Sequence, residues 1–467
     1  MISLLPLLSP LLSLLLSTGP ARTVTVSSQS EFDALDRQVH AALSDKPGTL
    51  RVVIEPGTYR FHDDHVDLFG MDCPDTDLII EGYGATLTGE TPTVRYSPFS
   101  RLRRPVEIVD AERKLCRIRT DRQLSGAGQL YVQVTAWYQL FTCPVVQKKG
   151  RYLYFVAEKL ERSGLGYNIN GDLTFAGRMP RFRLMRMDEE GATPVTAFLK
   201  VTACTFRNVS LSGITFDTNT GGRTGYAKDC LVRFYQDRFD EAVLKDCTFR
   251  GIRSDVVHVA YSDRVRVSHC TFEDCYRMGV LSDKFSRDTQ VVENQFIRMG
   301  LSAEYTPCVR CLGTRYLIAR NLFEDFGNCA VGVGVHFSEQ MEKPASGIVE
   351  ENEMYQTEAY RRDAPMNLLM DTGAIYVWTQ NSSLLIRGNR IHDIDGPAEN
   401  RGIFCDDGTI NTTIRDNEVV RIANSWCIDL RKALSVEKRA DSKIRKVNVG
   451  NRMESNKVDG KVRFENR

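Results

Sequence analysis

The chain has 467 residues, so its length alone allows two or three compact domains or one elongated repeat array. Lysine and arginine number 61 against 60 aspartate and glutamate, and the resulting net charge of +1 excludes a strong basic field and argues against a nucleic-acid partner. Hydrophobic residues make up 42% and charged residues 26%, as in soluble globular proteins, so we expect a sizeable core.

The first 21 residues differ from the rest of the chain. Residues 1–16 are almost wholly apolar and uncharged, and the segment is too short and too interrupted by proline to span a bilayer as a helix. The small residues Gly19 and Ala21 follow, at places that suit a signal peptidase. We therefore predict a secretory signal over residues 1–21 and a secreted or periplasmic protein. No later stretch is long and apolar enough to predict a membrane span.

Residues 22–90 are predicted to form an N-terminal cap and the first coils of a repeat array. Apolar residues at positions 32, 35, 39, 42 and 43 have the spacing of an amphipathic helix, with Ser30 as its N-cap. We expect this helix to cover the open end of a stack of strands, because an uncovered end would expose core and an unpaired strand edge. The segments 50–61 and 78–89 are interpreted as the first two coils.

A recurring unit fills residues 196–435. Each copy has an apolar pair, one or two polar residues, then Asn or Cys, any residue and an apolar residue. The Asn or Cys positions are Cys247, Cys270, Asn294, Asn321, Asn352, Asn389 and Asn417. Their steps are 23, 24, 27, 31, 37 and 28 residues, so a unit of about 23 residues grows by loop insertions.

This repeat predicts an all-β fold, a right-handed parallel β-helix. One coil of short strands cannot bury its own inner face, so successive coils must stack. Asn suits one fixed corner because it tolerates the left-handed turn conformation and because its side-chain amide can bond to the amide one coil further on. A β-propeller or β-sandwich has similar strand spacing, but neither explains why a single corner recurs seven times.

Two segments depart from the repeat. Residues 91–195 contain strand-like runs separated by charged and glycine-rich turns without the Asn corner, which indicates a β-rich insertion between early coils. Residues 436–467 are mostly Lys, Arg, Asn and Glu with single apolar residues, which indicates a C-terminal closing strand or tail.

The 13 cysteines are an odd number for an exported protein with a disulfide framework. Cys204, Cys247 and Cys270 each occur as Cys-Thr-Phe at equivalent places in the repeat, which suits small apolar side chains stacked in a core. We therefore expect mostly unpaired, buried thiols. The motif Cys308-x-x-Cys311 has no second pair opposite it, so no metal site is predicted.

Several segments carry a resemblance to a known superfamily. The run Glu55-Pro-Gly-Thr-Tyr59 and the Asn-corner coils resemble the pectin-lyase-like superfamily of right-handed parallel β-helices, over about residues 22–90 and 200–435. The segments 371–376 and 402–408 are similar to those of carbohydrate-active members, including glycoside hydrolases of this fold. The resemblance implies a substrate that lies along an outer parallel-sheet face. The superfamily also holds lyases, epimerases and non-catalytic proteins, so the fold does not decide the function.

Stacking five segments predicts which side chains face outward on one strand face. The segments are Met278–Asp283, Cys329–His336, Gly373–Trp378, Arg401–Asp406 and Trp426–Arg431. The outward position at the strand end then holds Asp283, His336, Trp378, Asp406 and Arg431, and the outward position before it holds Leu281, Gly334, Tyr376, Phe404 and Asp429.

This predicted row would span roughly 19 Å over four steps of about 4.8 Å. Aromatic faces stack on sugar rings, while carboxylates, His and Arg supply directional hydrogen bonds. We therefore predict a saccharide-binding groove. Its expected substrate-binding residues are His336, Trp378, Tyr376, Phe404, Arg431, Asp283 and Asp429.

Glycosidic hydrolysis needs a proton donor and a second carboxylate. Asp406, Asp371 and Asp407 are the predicted catalytic residues, with Asp406 on the groove and Asp407 at its rim, because adjacent strand residues point in opposite directions. Each of them also fits a structural role, since Asp-Gly commonly ends a strand and an Asp before Thr-Gly can cap a loop.

The preferred function is a glycoside hydrolase acting on a polysaccharide or oligosaccharide, without a cofactor and as a monomer. A polysaccharide lyase acting on a uronate-containing glycan is the second hypothesis, and a non-catalytic carbohydrate-binding protein is the third. The acidic calcium cluster typical of pectate lyases is missing, as is the Gly-His-Gly pattern typical of polygalacturonases. His258 fits a hydrogen-bonded surface residue better than a catalytic one.

Overall fold

The structure of the protein is a computed structural model. It describes residues 21–44, 47–60, 65–89, 93–97, 100–101, 104, 106–110, 112–136, 139–157, 181–188, 197–217, 230–301, 306–334, 345–363, 372–378, 381–395, 400–406, 408–423, 425–430, 436–439, 442–445 and 450–465. The predicted secretory signal lies outside these residues except for Ala21.

Three long parallel sheets, each running the length of the stack, confirm the all-β, right-handed parallel β-helix. The first sheet has 12 strands: Ala21–Val26, Gly48–Ile54, Asp72–Glu81, Thr205–Ser212, Glu241–Lys245, Val265–Ser268, Gln290–Val292, Tyr316–Ala319, Ala345–Glu350, Asn381–Arg387, Thr412–Arg415 and Arg452–Glu454. The second sheet has 11 strands: Gly57–Arg60, Ala85–Thr88, Thr215–Asp217, Thr248–Arg250, Thr271–Glu273, Gln295–Ile297, Leu322–Glu324, Glu353–Tyr355, Arg390–Ile394, Glu418–Ile422 and Lys457–Val458. The third sheet has 11 strands: Val66–Phe69, Leu199–Thr202, Cys230–Tyr235, Asp255–Ala260, Val280–Ser282, Val309–Cys311, Val331–Val333, Thr372–Val377, Asn400–Cys405, Trp426–Leu430 and Lys461–Phe464.

From Gly48 onward, each coil contributes one strand to each sheet in the order first, second, third, whereas Ala21–Val26 belongs to the first sheet alone. The inward side chains of successive coils stack into one core. A file of phenylalanines on the second sheet shows the regularity of this core. Ring centroids of Phe249 and Phe272 lie 4.9 Å apart, and those of Phe272 and Phe296 lie 4.6 Å apart, with nearly parallel planes. These rings have no exposed surface, so their burial contributes strongly to stability.

The predicted Asn corner forms a continuous hydrogen-bonded ladder between the first and second sheets. Each Nδ2 donates to the Oδ1 one coil further on, at 3.0 Å from Asn294 to Asn321 and at 2.9 Å from Asn321 to Asn352. The ladder continues through Asn389 and Asn417 and reaches Asn456, a further copy in the C-terminal segment. Side-chain bonds between coils are therefore confirmed as the reason for the repeated Asn.

The prediction that Asn at the corner adopts the left-handed conformation is wrong. The left-handed conformation belongs to the residue before each Asn, as at Glu293 with φ of 60° and Arg320 with φ of 53°. The Asn itself is absent from the positive-φ residues of the described chain. The corner thus divides its two tasks between adjacent residues, one that turns the backbone and one that bonds across coils.

Two short helices cover the N-terminal end of the stack. They span Gln29–Asp33 and Leu35–Ser44 and are separated at Ala34. The N-cap is Ser28 rather than Ser30, because Ser28 and Glu31 form a capping box. The buried helix residues Phe32, Leu35, Val39 and Leu43 join the main core, which fits a capping role.

In chain order, an antiparallel sheet is inserted after the second-sheet strand Ala85–Thr88 and before the third-sheet strand Leu199–Thr202. Its strands are Thr93–Tyr96, Ser100–Arg101, Glu107–Asp110, Leu115–Arg119, Gln129–Ala136, Gln139–Lys149, Tyr152–Val156 and Arg181–Asp188. We call it the insertion sheet, and it has a core of its own. Arg183 donates to the Leu301 carbonyl at 3.2 Å, and Arg253 contacts the Met187 sulfur at 3.3 Å. The insertion sheet therefore flanks the edge at which third-sheet strands begin.

The parallel stack continues beyond residue 435, the predicted limit of the coils. A hairpin of Val436–Arg439 and Ser442–Arg445 precedes a last coil whose three strands pair in all three sheets. The third described helix, Glu358–Asp363, lies in the turn that leads to the third sheet. No helix among the described residues is long and apolar enough to cross a membrane.

All 13 cysteines are free, and twelve of them are buried. This confirms the expectation of unpaired thiols in a core. Burial raises the pKa of the Cys275 and Cys311 thiols to about 12, so both are protonated at neutral pH and are inert packing residues.

Candidate functional site

The outer face of the third sheet brings together side chains that are far apart in the sequence. One outward position of each strand pairs with the same position in the next coil. We call this set the outer column; its members from Lys200 onward are Lys200, Arg233, His258, Leu281, Arg310, Gly332, Tyr376, Phe404, Asp429 and Arg463. Neighbouring members lie about 4.8 Å apart, so they form one continuous surface.

The structure adds a coil to the predicted stack. The strand Val309–Cys311 lies between Val280–Ser282 and Val331–Val333, which had been stacked directly on each other. Arg310 therefore enters the outer column. The added coil also places Asp283 four steps from Asp406, which corresponds to about 19 Å, too far for the two carboxylates to act on one glycosidic bond.

The predicted register is also wrong by two residues in one segment. Val333 pairs with Val377, a place predicted for Val335. Gly334 consequently takes the position at the end of the strand that had been predicted for His336. A shift by two preserves which side chains face inward, so the alternating Val and Gly of this segment fit both registers equally well.

The predicted register of the last three rows is confirmed, and it brings Asp406 beside two aromatic residues. The Tyr376 hydroxyl donates to Oδ2 of Asp406 at 2.7 Å. The rings of Tyr376 and Trp378 meet edge to face at 6.3 Å, and the Arg310 guanidinium lies 4.3 Å from the Trp378 ring centre. Asp406 and Trp378 are half-buried, whereas Tyr376 is only 6% exposed. We call these four residues the Asp406 cluster.

Phe404 and Asp429 lie in the outer column as predicted, but both are fully buried. The Arg401 guanidinium covers Phe404 at 3.9 Å from the ring centre. The Asp429 carboxylate accepts from Arg401 at 2.5 Å and from Arg463 at 2.7 Å. The expectation that both residues contact substrate is therefore corrected: both are buried, and the Phe404 ring packs edge to face on Tyr376 at 5.0 Å.

Asp283 has a local structural role. Its Oδ1 accepts from the backbone N–H groups of Tyr261, Phe285 and Ser286 and from the Ser286 hydroxyl, at 2.8 to 3.2 Å. These bonds fix the turn that follows the strand Val280–Ser282. The Asp283 side chain thus closes a turn through one oxygen, and its predicted contact with substrate stays a prediction.

Four predicted site residues lie outside the described residues: Asp371, Asp407, His336 and Arg431. The distance from Asp406 to either predicted carboxylate partner stays a prediction. The same is true of substrate orientation by His336 and Arg431.

The outer column also contains Arg233, His258 and Arg310, which are not among the predicted site residues. Arg233 and His258 are adjacent in it, and Arg310 lies two steps beyond His258. A signal for Arg310 was available, because the 27 residues from Asn294 to Asn321 exceed one full coil and must contain one third-sheet strand. His258, interpreted from the sequence as a hydrogen-bonded surface residue, is half-buried in the outer column.

His258 lies in an enclosed, mixed electrostatic environment. Burial and the nearby charge of Arg233 lower the pKa of the imidazole, while Asp255 and Asp283 oppose them. Asp255 is itself only 1% exposed and accepts from Arg277 at 3.2 Å. His258 is therefore neutral at pH 7 and can accept a proton.

Neither Arg233 nor Arg310 forms an ion pair with a carboxylate in the described part of the chain. Arginines elsewhere on the coils, such as Arg298 and Arg320, bind carboxylates at 2.6 and 2.9 Å. The outer face thus offers two cations, a neutral imidazole, a carboxylate and aromatic surface. The described residues contain no cluster of His, Cys, Asp or Glu that could hold a metal ion.

The fold defines a class of protein, and comparison with known proteins agrees with it. No family model and no curated protein sequence matches the chain. A solved structure described as a glycoside hydrolase is similar over 94% of this chain and 96% of its own, with a TM-score of 0.61 and 11% identity. The periplasmic alginate epimerase AlgG covers 95% of this chain and 84% of its own, with a TM-score of 0.39 and 11% identity.

PfbA, a surface adhesin of Streptococcus pneumoniae, covers 92% of this chain and 86% of its own, with a TM-score of 0.42 and 10% identity. Together with the three parallel sheets, the similarity to the structure described as a glycoside hydrolase shows that the chain is a right-handed parallel β-helix protein. At 11% identity this similarity establishes the fold, and the function has to be argued from the site.

Proposed function

We propose that this protein is an exported, monomeric glycoside hydrolase that cleaves a polysaccharide or oligosaccharide on the outer face of the third sheet. The observation that carries the proposal is the Asp406 cluster, in which a half-buried carboxylate accepts a hydrogen bond from Tyr376 beside the half-buried Trp378. The fold likeness to a protein described as a glycoside hydrolase supports it. Export rests on the predicted signal over residues 1–21.

Each residue of the Asp406 cluster has a different proposed role in catalysis. Trp378 offers a ring face for sugar stacking, and Arg310 fixes the orientation of that ring through a cation–π contact. The Tyr376 hydroxyl donates to Oδ2 of Asp406 and holds the carboxylate beside the Trp378 ring. Asp406 is proposed as one of the two catalytic carboxylates.

Hydrolysis proceeds when one carboxylic acid protonates the departing glycosidic oxygen. The second carboxylate either attacks the anomeric carbon, to form an intermediate that water then cleaves, or takes a proton from an attacking water. Asp371 and Asp407 are the proposed partners of Asp406. A separation near 5 to 5.5 Å gives retention and about 6.5 to 9.5 Å gives inversion.

Replacement of Asp406 by Asn tests the proposal. The wild-type protein is screened against plant and algal polysaccharides with mass spectrometric detection of products, and Asp406→Asn is then assayed on the substrate found. We expect a loss of about 10²- to 10⁴-fold in turnover with the fold intact. The matched control is Asp416→Asn, which changes an exposed Asp at the Asn corner, where φ is 56° and Asn fits. Full activity of Asp406→Asn contradicts the proposal.

A polysaccharide lyase is the second candidate, and the residues of the outer column favour it. A lyase needs a base to remove the proton at C5 of a uronate while a cation neutralises the carboxylate. His258 is neutral and lies beside Arg233 in the register. In such a reaction the base takes the C5 proton, a C4–C5 double bond forms, and the glycosidic oxygen leaves and is protonated.

The two candidates predict different products. A lyase yields an unsaturated product that absorbs in the ultraviolet. Its formation should be abolished by His258→Ala and should persist in Asp406→Asn. A hydrolase yields a saturated product with the opposite dependence. Affinity for glycans without any product would identify a non-catalytic carbohydrate-binding protein.

A further inference from the structure

A second group of aromatic residues follows the third sheet in the early coils. Tyr235, Tyr261 and Phe285 come from three consecutive coils, and we call them the aromatic ladder. The ring centroids of Tyr261 and Phe285 lie 4.3 Å apart at an interplanar angle of 11°, and those of Tyr235 and Tyr261 lie 5.8 Å apart. Tyr261 is 45% exposed, and its neighbours are half-buried.

Folding does not account for an aromatic ring at position 261. Tyr261 has φ of 53°, a left-handed conformation that disfavours bulky side chains. The residues at the same turn in the two preceding coils are Ala203, with φ of 53°, and Gln236, with φ of 58°. Small or polar residues are thus compatible with this turn, and a half-exposed ring adds little to stability through the burial of apolar surface. The ring is better explained by a surface function.

The ladder is lined by cations. The Arg233 guanidinium lies 4.8 Å from the Tyr235 ring centre, and the Lys284 ammonium lies 5.4 Å from that of Phe285. Arg233 pairs with no carboxylate in the described chain, and its buried Nε has no hydrogen-bond partner there.

The nearby carboxylates are already engaged. Oδ1 of Asp283 accepts four hydrogen bonds within its turn, and Asp263 pairs with Arg287 at 2.8 Å. Asp237 is 5% exposed, and burial raises the pKa of its carboxyl to about 7, so its negative charge is reduced at neutral pH. Arg233 is therefore a cation beside the aromatic ladder without a carboxylate partner in the described chain, and an anionic group of a ligand can pair with it.

We propose that the aromatic ladder is a saccharide-binding site for an acidic polysaccharide. The exposed part of the Tyr261 ring packs on a sugar ring, and Arg233 binds a carboxylate or sulfate group of the same polymer. The coil of Tyr261 lies five steps from that of Asp406, or about 24 Å. One sugar unit cannot touch both sites, so the ladder holds a distant part of the polymer. This last link, to cleavage at Asp406, rests on the proposed function; saccharide binding does not.

Affinity measurements on the full chain test the ladder. The probes are polygalacturonate, alginate and chondroitin sulfate, with dextran as the neutral comparator, in affinity gel electrophoresis and calorimetry. Tyr261→Asn removes the ring and keeps a residue that tolerates positive φ, so the fold is preserved. We expect it to weaken binding of at least one acidic polymer about tenfold. Arg233→Gln should weaken the same binding and reduce its sensitivity to salt.

The matched control is Tyr83→Asn, which removes a 55% exposed ring at a turn that leads to the second sheet. It should bind the acidic polymer as the wild type does. Unchanged affinity of both Tyr261→Asn and Arg233→Gln overturns the proposal, as does equal binding of dextran and the acidic polymers.

Failure of the ladder is distinguishable from failure of the proposed function. Polymer binding that depends on Tyr261 in an Asp406→Asn background supports the ladder whatever the turnover. Turnover that depends on Asp406 while Tyr261→Asn and Arg233→Gln both bind normally overturns the aromatic ladder and leaves the hydrolase proposal standing.

Discussion

The Asn corner and the outer face of the third sheet belong to the same coils, yet they are built by opposite rules. At the corner, one residue type recurs because each side chain bonds to an identical neighbour, as Asn352 bonds to Asn389 at 2.9 Å. On the outer face, the residue type changes at almost every step, from Arg233 to His258 to Leu281.

The difference separates structural demands from functional ones. A repeated side chain at a repeated position satisfies a demand that every coil makes. Different side chains at a repeated position satisfy no common demand of the fold, so the outer face is where recognition and chemistry are expected. The comparison is open to direct test, because substitutions at the two places should change different quantities.

The largest stability loss is expected in the interior, beside the corner. Phe296 has no exposed surface and stacks between Phe272 at 4.6 Å and Phe323 at 4.8 Å. Phe296→Ala should lower the free energy of unfolding by about 3 to 5 kcal/mol, because it leaves a cavity in the stack. Urea denaturation measures this loss. Phe296→Leu should lose less, and glycan affinity per folded molecule should not change in either variant.

The second-largest loss of stability is expected at the Asn corner, in the hydrogen-bonded row of Asn side chains. Asn352 donates to the Ile318 carbonyl and to Asn389, and its Oδ1 accepts from the main chain and side chain of Asn321, at 2.9 to 3.0 Å. Asn352→Ala leaves buried partners unsatisfied and should cost about 2 to 3 kcal/mol in urea denaturation.

Asn352→Cys sharpens this test. Cysteine occupies the same corner at Cys270, where its thiol donates to the Ser268 carbonyl at 3.3 Å. The Cys variant should therefore be more stable than the Ala variant. Equal losses in the two variants would show that side-chain bonding does not set the choice at this corner.

The same contrast explains how much the sequence could predict. The fold, the inward positions and the Asn bonds were predictable because each coil repeats them, so every copy checked the others. The left-handed residue before Asn was missed because its identity varies, from Glu293 to Arg320 to Gly388. Backbone conformation alone is shared at that position, and composition does not report it.

The site was less predictable for a related reason. A site residue is located only by its coil and by its position along the strand. One missing coil therefore excluded Arg310, and one two-residue shift places Gly334 at the position predicted for His336. Burial could not be predicted either: the aromatic identity of Phe404 suggested a sugar platform, whereas the Arg401 guanidinium covers it. A pattern of residue types predicts where a side chain lies along a strand, but it does not predict whether another side chain buries it.

On the outer face, a substitution should change binding rather than stability. Trp378→Ala removes a half-buried ring that packs on Tyr376 and Arg310. We expect at most about 1 kcal/mol of lost stability. The apparent affinity for the substrate or for a non-cleaved glycan should fall about tenfold. Trp378→Phe, which keeps a ring face, should lose less. A large stability loss with unchanged affinity would remove the distinction between the two faces.

The smallest effect is expected at the ion pairs that link coils on the outside. Hydrogen bonds from Arg315 lower the pKa of the Asp288 carboxyl. Because the folded-state pKa is lower than the unfolded one, the stabilisation is present above about pH 4 and is lost as pH falls through the folded value. Asp288→Asn should cost less than about 1 kcal/mol at pH 7. Its difference from wild type should shrink as urea denaturation is repeated from pH 7 towards pH 3. A constant difference across that range would mean that Asp288 acts through packing and hydrogen-bond geometry, as the corner residues do, and not through its charge.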